Sequence, residues 1–137
     1  IRYRTRDITR LHYEPCECGR TLVRMEKTMG RSDDMLIIKG VNLYPSALKG
    51  LVSELEPRTT GALRIILEQP GPLVKPPLKI RIEHGLKNPS EEDKHQLMTE
   101  LTELIKNRLR VSPDIDLVEP FTLPRESGKT SLIEIKK

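Results

Sequence analysis

The chain has no tryptophan, one phenylalanine and three tyrosines, so aromatic residues make up 3% of its 137 positions. Few rings are left to stack on bases, which argues against a nucleic-acid platform. Cysteine is nearly as scarce. Cys16 and Cys18 are the only two, one residue apart, and oxidising them would close a very small, strained ring, so a secreted disulfide scaffold is not expected. Long apolar runs are missing as well. The longest is the four residues Met35 to Ile38, against roughly 20 needed to span a bilayer, and no charged-then-apolar leader opens the chain. These absences lead to the expectation of a cytoplasmic protein with no membrane partner.

Charge of one sign is also confined. The formal net charge is +4, but residues 1 to 31 hold eight Lys or Arg against four Asp or Glu, while residues 32 to 137 hold sixteen of each. The excess sits wholly in the opening segment. Such a segment can meet phosphate, yet a neutral body with few aromatics gives no reason to expect nucleic acid as a partner.

What is present is one domain's worth of ordinary globular sequence, with 36% hydrophobic and 32% charged residues. The opening, to about Lys27, is rich in Arg and weakly patterned. From Asp33 a small α+β pattern begins. Met35 to Lys39 reads as a strand, and Gly40 allows a tight turn into Val41 to Tyr44, which makes a hairpin. Pro45 suits the first turn of a helix carrying Leu48, Leu51, Val52 and Leu55 at helical spacing, ending before Pro57. Leu63 to Glu68 and the alternating Leu78, Ile80, Ile82 read as strands, the second with one face wet. Ser90 and the acids Glu91, Glu92 and Asp93 open a helix whose stripe runs from Leu97 to Leu109 and whose end carries Lys106, Arg108 and Arg110. Ile115 to Glu119 and Leu132 to Ile135 complete the strands. The expected fold is α+β: a small antiparallel or mixed sheet with two helices on one face, close to a βαββαβ arrangement and preceded by the hairpin.

Several residues could carry chemistry. Cys16 and Cys18 offer half of a metal site; a structural zinc needs four ligands, and with His12 the chain supplies three candidates at most. Two thiols in a turn remain an equal reading. Ser127-Gly128-Lys129-Thr130 suggests a phosphate loop, but that motif requires glycine five residues before Gly128, where Leu123 stands. His12, His84 and His95 are scattered and are expected at the surface.

Four separate segments, in order, resemble the acyl-adenylate-forming ligases, in the branch typified by phenylacetate-CoA ligase. They are Tyr3-Arg4-Thr5-Arg6-Asp7, Gly30-Arg31-Ser32-Asp33-Asp34, the surroundings of Gly40, and Pro124-Arg125-Glu126-Ser127-Gly128-Lys129-Thr130. Many relatives have Gly where this chain has Arg6. The resemblance implies that Asp7 accepts hydrogen bonds from both ribose hydroxyls of ATP or AMP, that Arg31 lies near the same ribose, that Asp33 is a hinge, and that the Gly40 loop lines the passage for the pantetheine arm of CoA. It implies that Lys129 is catalytic, bridging the acyl carboxylate and the α-phosphate during adenylation.

On this reading residues 1 to 32 are the tail of a large nucleotide-binding domain and residues 33 to 137 a mobile lid. The whole enzyme would convert an arylacetic acid, phenylacetate first among them, to its CoA thioester, with ATP going to AMP and pyrophosphate and Mg2+ accompanying ATP. It would include an upstream adenylation domain, could form a homodimer, and could carry a structural Zn2+ with ligands outside this sequence. The isolated piece is expected to be inactive. The rival from another class is a stand-alone ferredoxin-like regulatory module that binds a small molecule at a subunit interface.

Overall fold

The computed structural model describes residues 3–124 and 132–136. It opens with four short strands, β1 (Asp7–Ile8), β2 (Leu11–His12), β3 (Arg24–Met25) and β4 (Gly30–Arg31). β1 pairs with β4 and β2 with β3, both antiparallel. Between these ladders the Glu26 amide donates to the Arg10 carbonyl at 2.9 Å and the Met29 amide to Ile8 at 2.8 Å, so the whole forms one long hairpin. The sequence of this segment is weakly patterned because backbone pairing, not burial, holds the hairpin: Leu11 and Met25 face each other across it and both are exposed.

A single 3-10 turn, Ser32–Asp34, leads out of β4. β5 (Leu36–Ile38) and β6 (Val41–Leu43) follow as the expected hairpin. Its two turn residues both have positive φ, 50° at Lys39 and 82° at Gly40, the primed turn that matches the twist of paired strands. Helix α1 (Pro45–Glu54) begins with proline in its first turn and buries Leu48, Leu51 and Val52. β7 (Thr59–Leu67) starts earlier than its hydrophobic run suggests. Thr59 is buried there with its hydroxyl donating to the Val52 carbonyl at 2.7 Å, and Gly61, at φ 73°, lies in the register shift between Thr59 and Leu63.

After β8 (Leu73–Val74), which adds to β5 in parallel, come β9 (Leu78–His84), α2 (Glu91–Leu109), β10 (Pro113–Val118) and β11 (Ile133–Ile135). The main sheet has the order β10-β9-β7-β11. β9 is antiparallel to β7, whereas β10 runs parallel to β9 and β11 parallel to β7. The connection from β9 through α2 to β10 is a parallel crossover, the arrangement that needs a helix to span it. α1 packs on β7, α2 on β10, and the two helices touch each other, which places both on one face. The β5–β6 hairpin pairs with β8 and stays out of the main sheet.

The core is built from β5, β6, α1, β7, β9 and α2, with Leu48, Ile65, Leu78, Ile82, Leu101 and Ile105 fully buried. α2 starts in a reciprocal cap: the Asp93 amide donates to Ser90 Oγ at 3.1 Å, and the Ser90 amide to Asp93 Oδ2 at 2.9 Å. The side chain and then the amide of Ser90 hold the Asp93 carboxyl below its ordinary range.

Two expectations need correction. His84, placed at the surface by its isolation in the sequence, is 1% exposed. It ends β9, and its Nε2 stands 3.1 Å from Glu119 Oε2. The outward face of β9 is wet at Lys79 and Arg81 but not at Glu83, which is fully buried because the chain around Leu123 crosses it and donates the Leu123 amide to its Oε1. His12 is half-buried and His95 exposed.

Candidate functional site: a polar cleft beside the hairpin

The antiparallel register of β1 with β4 sets Asp7 directly opposite Arg31. Two residues 24 positions apart in sequence thus become neighbours across a ladder, and both line a cleft of about 1090 Å3. Tyr3 to Arg6 form one wall, Tyr44 to Ser46 at the start of α1 another, and Leu132 and Ile133 close the side toward β11. Asp7 is exposed and Arg31 half-buried. A carboxylate with two acceptor oxygens beside a guanidinium with five donors is suited to a polyol next to an anion.

Backbone conformation shapes this cleft at two points. Arg6 has φ 64°, the left-handed region that glycine enters without steric cost. A Cβ on Gly30 would lie 2.6 Å from Ser46 Oγ, so the hairpin comes close to α1 at that glycine, and a side chain there would have to turn the Ser46 hydroxyl aside. Tyr44 and Ser46 had no motif to mark them. They read as the boundary between a strand and a helix, and only the fold brings them to the cleft.

Asp33 sits in the 3-10 turn that joins β4 to β5, between the cleft-bearing hairpin and the α+β body. Gly40 does not line the cleft; a Cβ there would meet nothing within 4 Å. Lys129 lies outside the described residues.

The cysteine pair occupies the tip of the long hairpin. The Gly19 amide donates to the Cys16 carbonyl at 2.8 Å, and the two Sγ atoms are 3.0 Å apart. Contact with the Cys16 sulfur, followed by the Arg20 backbone, pulls the exposed Cys18 thiol below its ordinary pKa. His12 does not join them: its Nε2 is 2.7 Å from Glu26 Oε1. Among the described residues no three His, Cys, Asp or Glu side chains gather to hold a metal. Two sulfurs are half of a tetrahedral zinc site, so a metal does not fit these residues alone.

The sheet and its crossover helix fall in a known class: the chain belongs to the AMP-binding enzyme C-terminal domain family, which it matches over residues 40–134. Among curated relatives it is 35% identical over 140 residues to the phenylacetate-coenzyme A ligase of Thermus thermophilus, covering 93% of this chain and 31% of that enzyme. It is 35% identical over 129 residues to the Escherichia coli enzyme of the same name, covering 94% of this chain and 29% of that one. The chain therefore spans less than a third of the length of these two relatives. Its fold superposes on 2-hydroxyisobutyryl-CoA ligase in the postadenylation state with a TM-score of 0.85 at 24% identity, over 97% of this chain and 28% of that one. A domain of phenylacetate-coenzyme A ligase from Bacteroides vulgatus gives 0.62 at 23% identity, over 75% of this chain and 92% of that one. Among the described residues no helix is long and apolar enough to cross a membrane.

Proposed function

We propose that this chain is the C-terminal part of an ATP-dependent arylacetate-CoA ligase, acting on phenylacetate through an acyl-adenylate. The observation that carries the reading is the pairing of Asp7 with Arg31 at the cleft, in a chain 35% identical to phenylacetate-coenzyme A ligases along almost its whole length. The Asp7 carboxylate accepts from the two ribose hydroxyls, and the Arg31 guanidinium lies along the same sugar. Mg2+ with ATP screens its phosphates. Lys129 enters during adenylation, when the acyl carboxylate attacks the α-phosphate and two anions must approach. A cation placed between them lowers the repulsion and aligns the reacting atoms.

Residues 1–32 then belong to the nucleotide-binding domain and residues 33–137 to a lid that turns about Asp33, withdrawing Lys129 and presenting the Gly40 loop to the CoA thiol. Support for two arrangements comes from 2-hydroxyisobutyryl-CoA ligase. This chain fits it with a TM-score of 0.85 in its postadenylation state and 0.65 in its thioesterification state with CoA. The partner is an upstream adenylation domain of the same polypeptide. The exposed Tyr13, Leu22, Val23 and Met25 of the long hairpin offer it an apolar surface, and further ligands from it would be needed to complete a zinc site at Cys16 and Cys18. Its setting is the cytoplasm, where ATP and CoA are supplied.

The experiment uses the full-length enzyme with Lys129→Ala. Pyrophosphate release from ATP and phenylacetate is expected to fall by a few kcal/mol of barrier, on the order of 100-fold or more, while thioester formation from preformed phenylacetyl-adenylate and CoA is retained. The chain on its own is expected to yield no thioester. Equal loss of both half-reactions in a folded protein would remove the rotating-lid reading.

A further inference from the structure

Two charged residues are buried on the sheet face that points away from the helices, and both are spent on the same stretch of chain. Arg64 in β7 is 8% exposed and Glu83 in β9 is 0% exposed. Arg64 is registered against Arg81, and alternation along β9 puts Arg81 and Glu83 on one side. Arg64 Nη2 donates to the Pro124 carbonyl at 2.8 Å. Glu83 Oε1 accepts the Leu123 amide at 2.7 Å, and its Oε2 accepts the Thr60 hydroxyl at 2.9 Å. The next residue of β7, Ile65, donates its amide to the Leu132 carbonyl at 2.8 Å. Adjacent positions of one strand therefore hold the chain at Pro124 and again at Leu132, and the interval between them in sequence includes Lys129.

Burying an acid and a guanidinium is costly unless their hydrogen bonds are met. Fixing these two positions for stability alone would be done more cheaply by apolar packing, of the kind Leu123 already provides at 5% exposure. Charged groups aimed at two consecutive backbone positions do something packing does not: they fix the direction in which the chain leaves the sheet.

We propose that Arg64 and Glu83, with Thr60 behind Glu83, are positioning residues that aim the Lys129-bearing segment in the adenylation step. They touch neither nucleotide nor acid and act only through the lysine. This rests on the role proposed for Lys129, and the test separates the two.

In the full-length enzyme, pyrophosphate release and thioester formation from preformed adenylate are measured for Arg64→Met, Lys129→Ala and the double variant. Methionine keeps the aliphatic stem and removes the group that holds Pro124. Arg64→Met is expected to slow pyrophosphate release by roughly 10- to 100-fold, the effect of displacing a reacting group by about 1 Å, with the thioester step unchanged. The double variant is expected to be no slower than Lys129→Ala alone, because the anchor has nothing left to aim. Equal loss in both half-reactions, no loss in either, or losses that multiply in the double variant would each overturn the proposal. If Lys129→Ala is selective and Arg64→Met is not, only the positioning role falls; if Lys129→Ala is itself unselective, the lysine assignment falls and takes the anchor with it. Should Arg64→Met not fold, Glu83→Gln carries the same test. It keeps the volume of Glu83, replaces one acceptor oxygen with an amide NH2, and is expected to show the same split at smaller amplitude.

Discussion

Single residues here are decided by backbone as often as by side chain. Gly85 follows β9, and a Cβ placed on it would collide with the Pro57 carbonyl oxygen and stand 3.2 Å from that of Thr59. Backbone cannot yield as the end of a flexible side chain can. Gly85→Ala is therefore expected to destabilise the protein by about 2 kcal/mol or more, read as a fall in the urea midpoint with unchanged slope. Gly50→Ala, on the open face of α1 with nothing within 4 Å, is its control and is expected to be neutral or stabilising. Nothing in the sequence separates these two glycines, since the difference is the approach of the Pro57 and Thr59 backbone. Asp7 and Arg31 were legible because each sits in a motif; Glu83 was not, because the alternation that placed it outward says nothing of the Leu123 segment laid over it. His84 was misplaced for a related reason. An isolated histidine carries no periodic signal of its burial, and the partner it found, Glu119, lies beyond the next helix and strand.

Elements were legible where a local rule and a periodic stripe coincide. α2 is the clearest case. Ser90 and Asp93 announce the start, the stripe supplies Leu97, Leu101 and Ile105 to the core, and the observed bounds, Glu91–Leu109, follow both. The reciprocal cap makes a prediction with a defined sign. Ser90→Ala is expected to cost about 1 kcal/mol at pH 7, measured by thermal denaturation. The Asp93 carboxyl is held below its ordinary value by Ser90. A carboxyl depressed in the folded state stabilises above its unfolded pKa of roughly 4, and that contribution disappears as pH falls through the folded value. The gap between wild type and Ser90→Ala is therefore expected to narrow below about pH 4; a gap independent of pH would mean that Asp93 takes no part in the cap. The opening hairpin is the opposite case. Its polar pairs, Asp7 with Arg31 and His12 with Arg24, each adjoin a non-polar one, Ile8 with Gly30 and Leu11 with Met25, and strands of two residues are too short for an alternation to show.

At the scale of the molecule, the buried hydrophobic cluster begins at Leu36 and draws no residue from the long hairpin. The hairpin meets the body through β4 against α1, the contact of Gly30 with Ser46, and the walls of the cleft. Hydrophobic burial dominates stability, so a segment that contributes none to the core adds little to the free energy of folding. This also fits the division proposed at Asp33, since a boundary belongs where few contacts cross. Residues 33–137 alone are thus expected to unfold cooperatively, with a Tm within roughly 5 °C of the 137-residue chain, the shift that about 1 kcal/mol produces in a domain of this size. Circular dichroism of the two proteins side by side decides it. A loss of cooperativity, or a fall well beyond that margin, would show that the hairpin is part of the lid's own fold, and a hinge at Asp33 would then have to turn against packed structure.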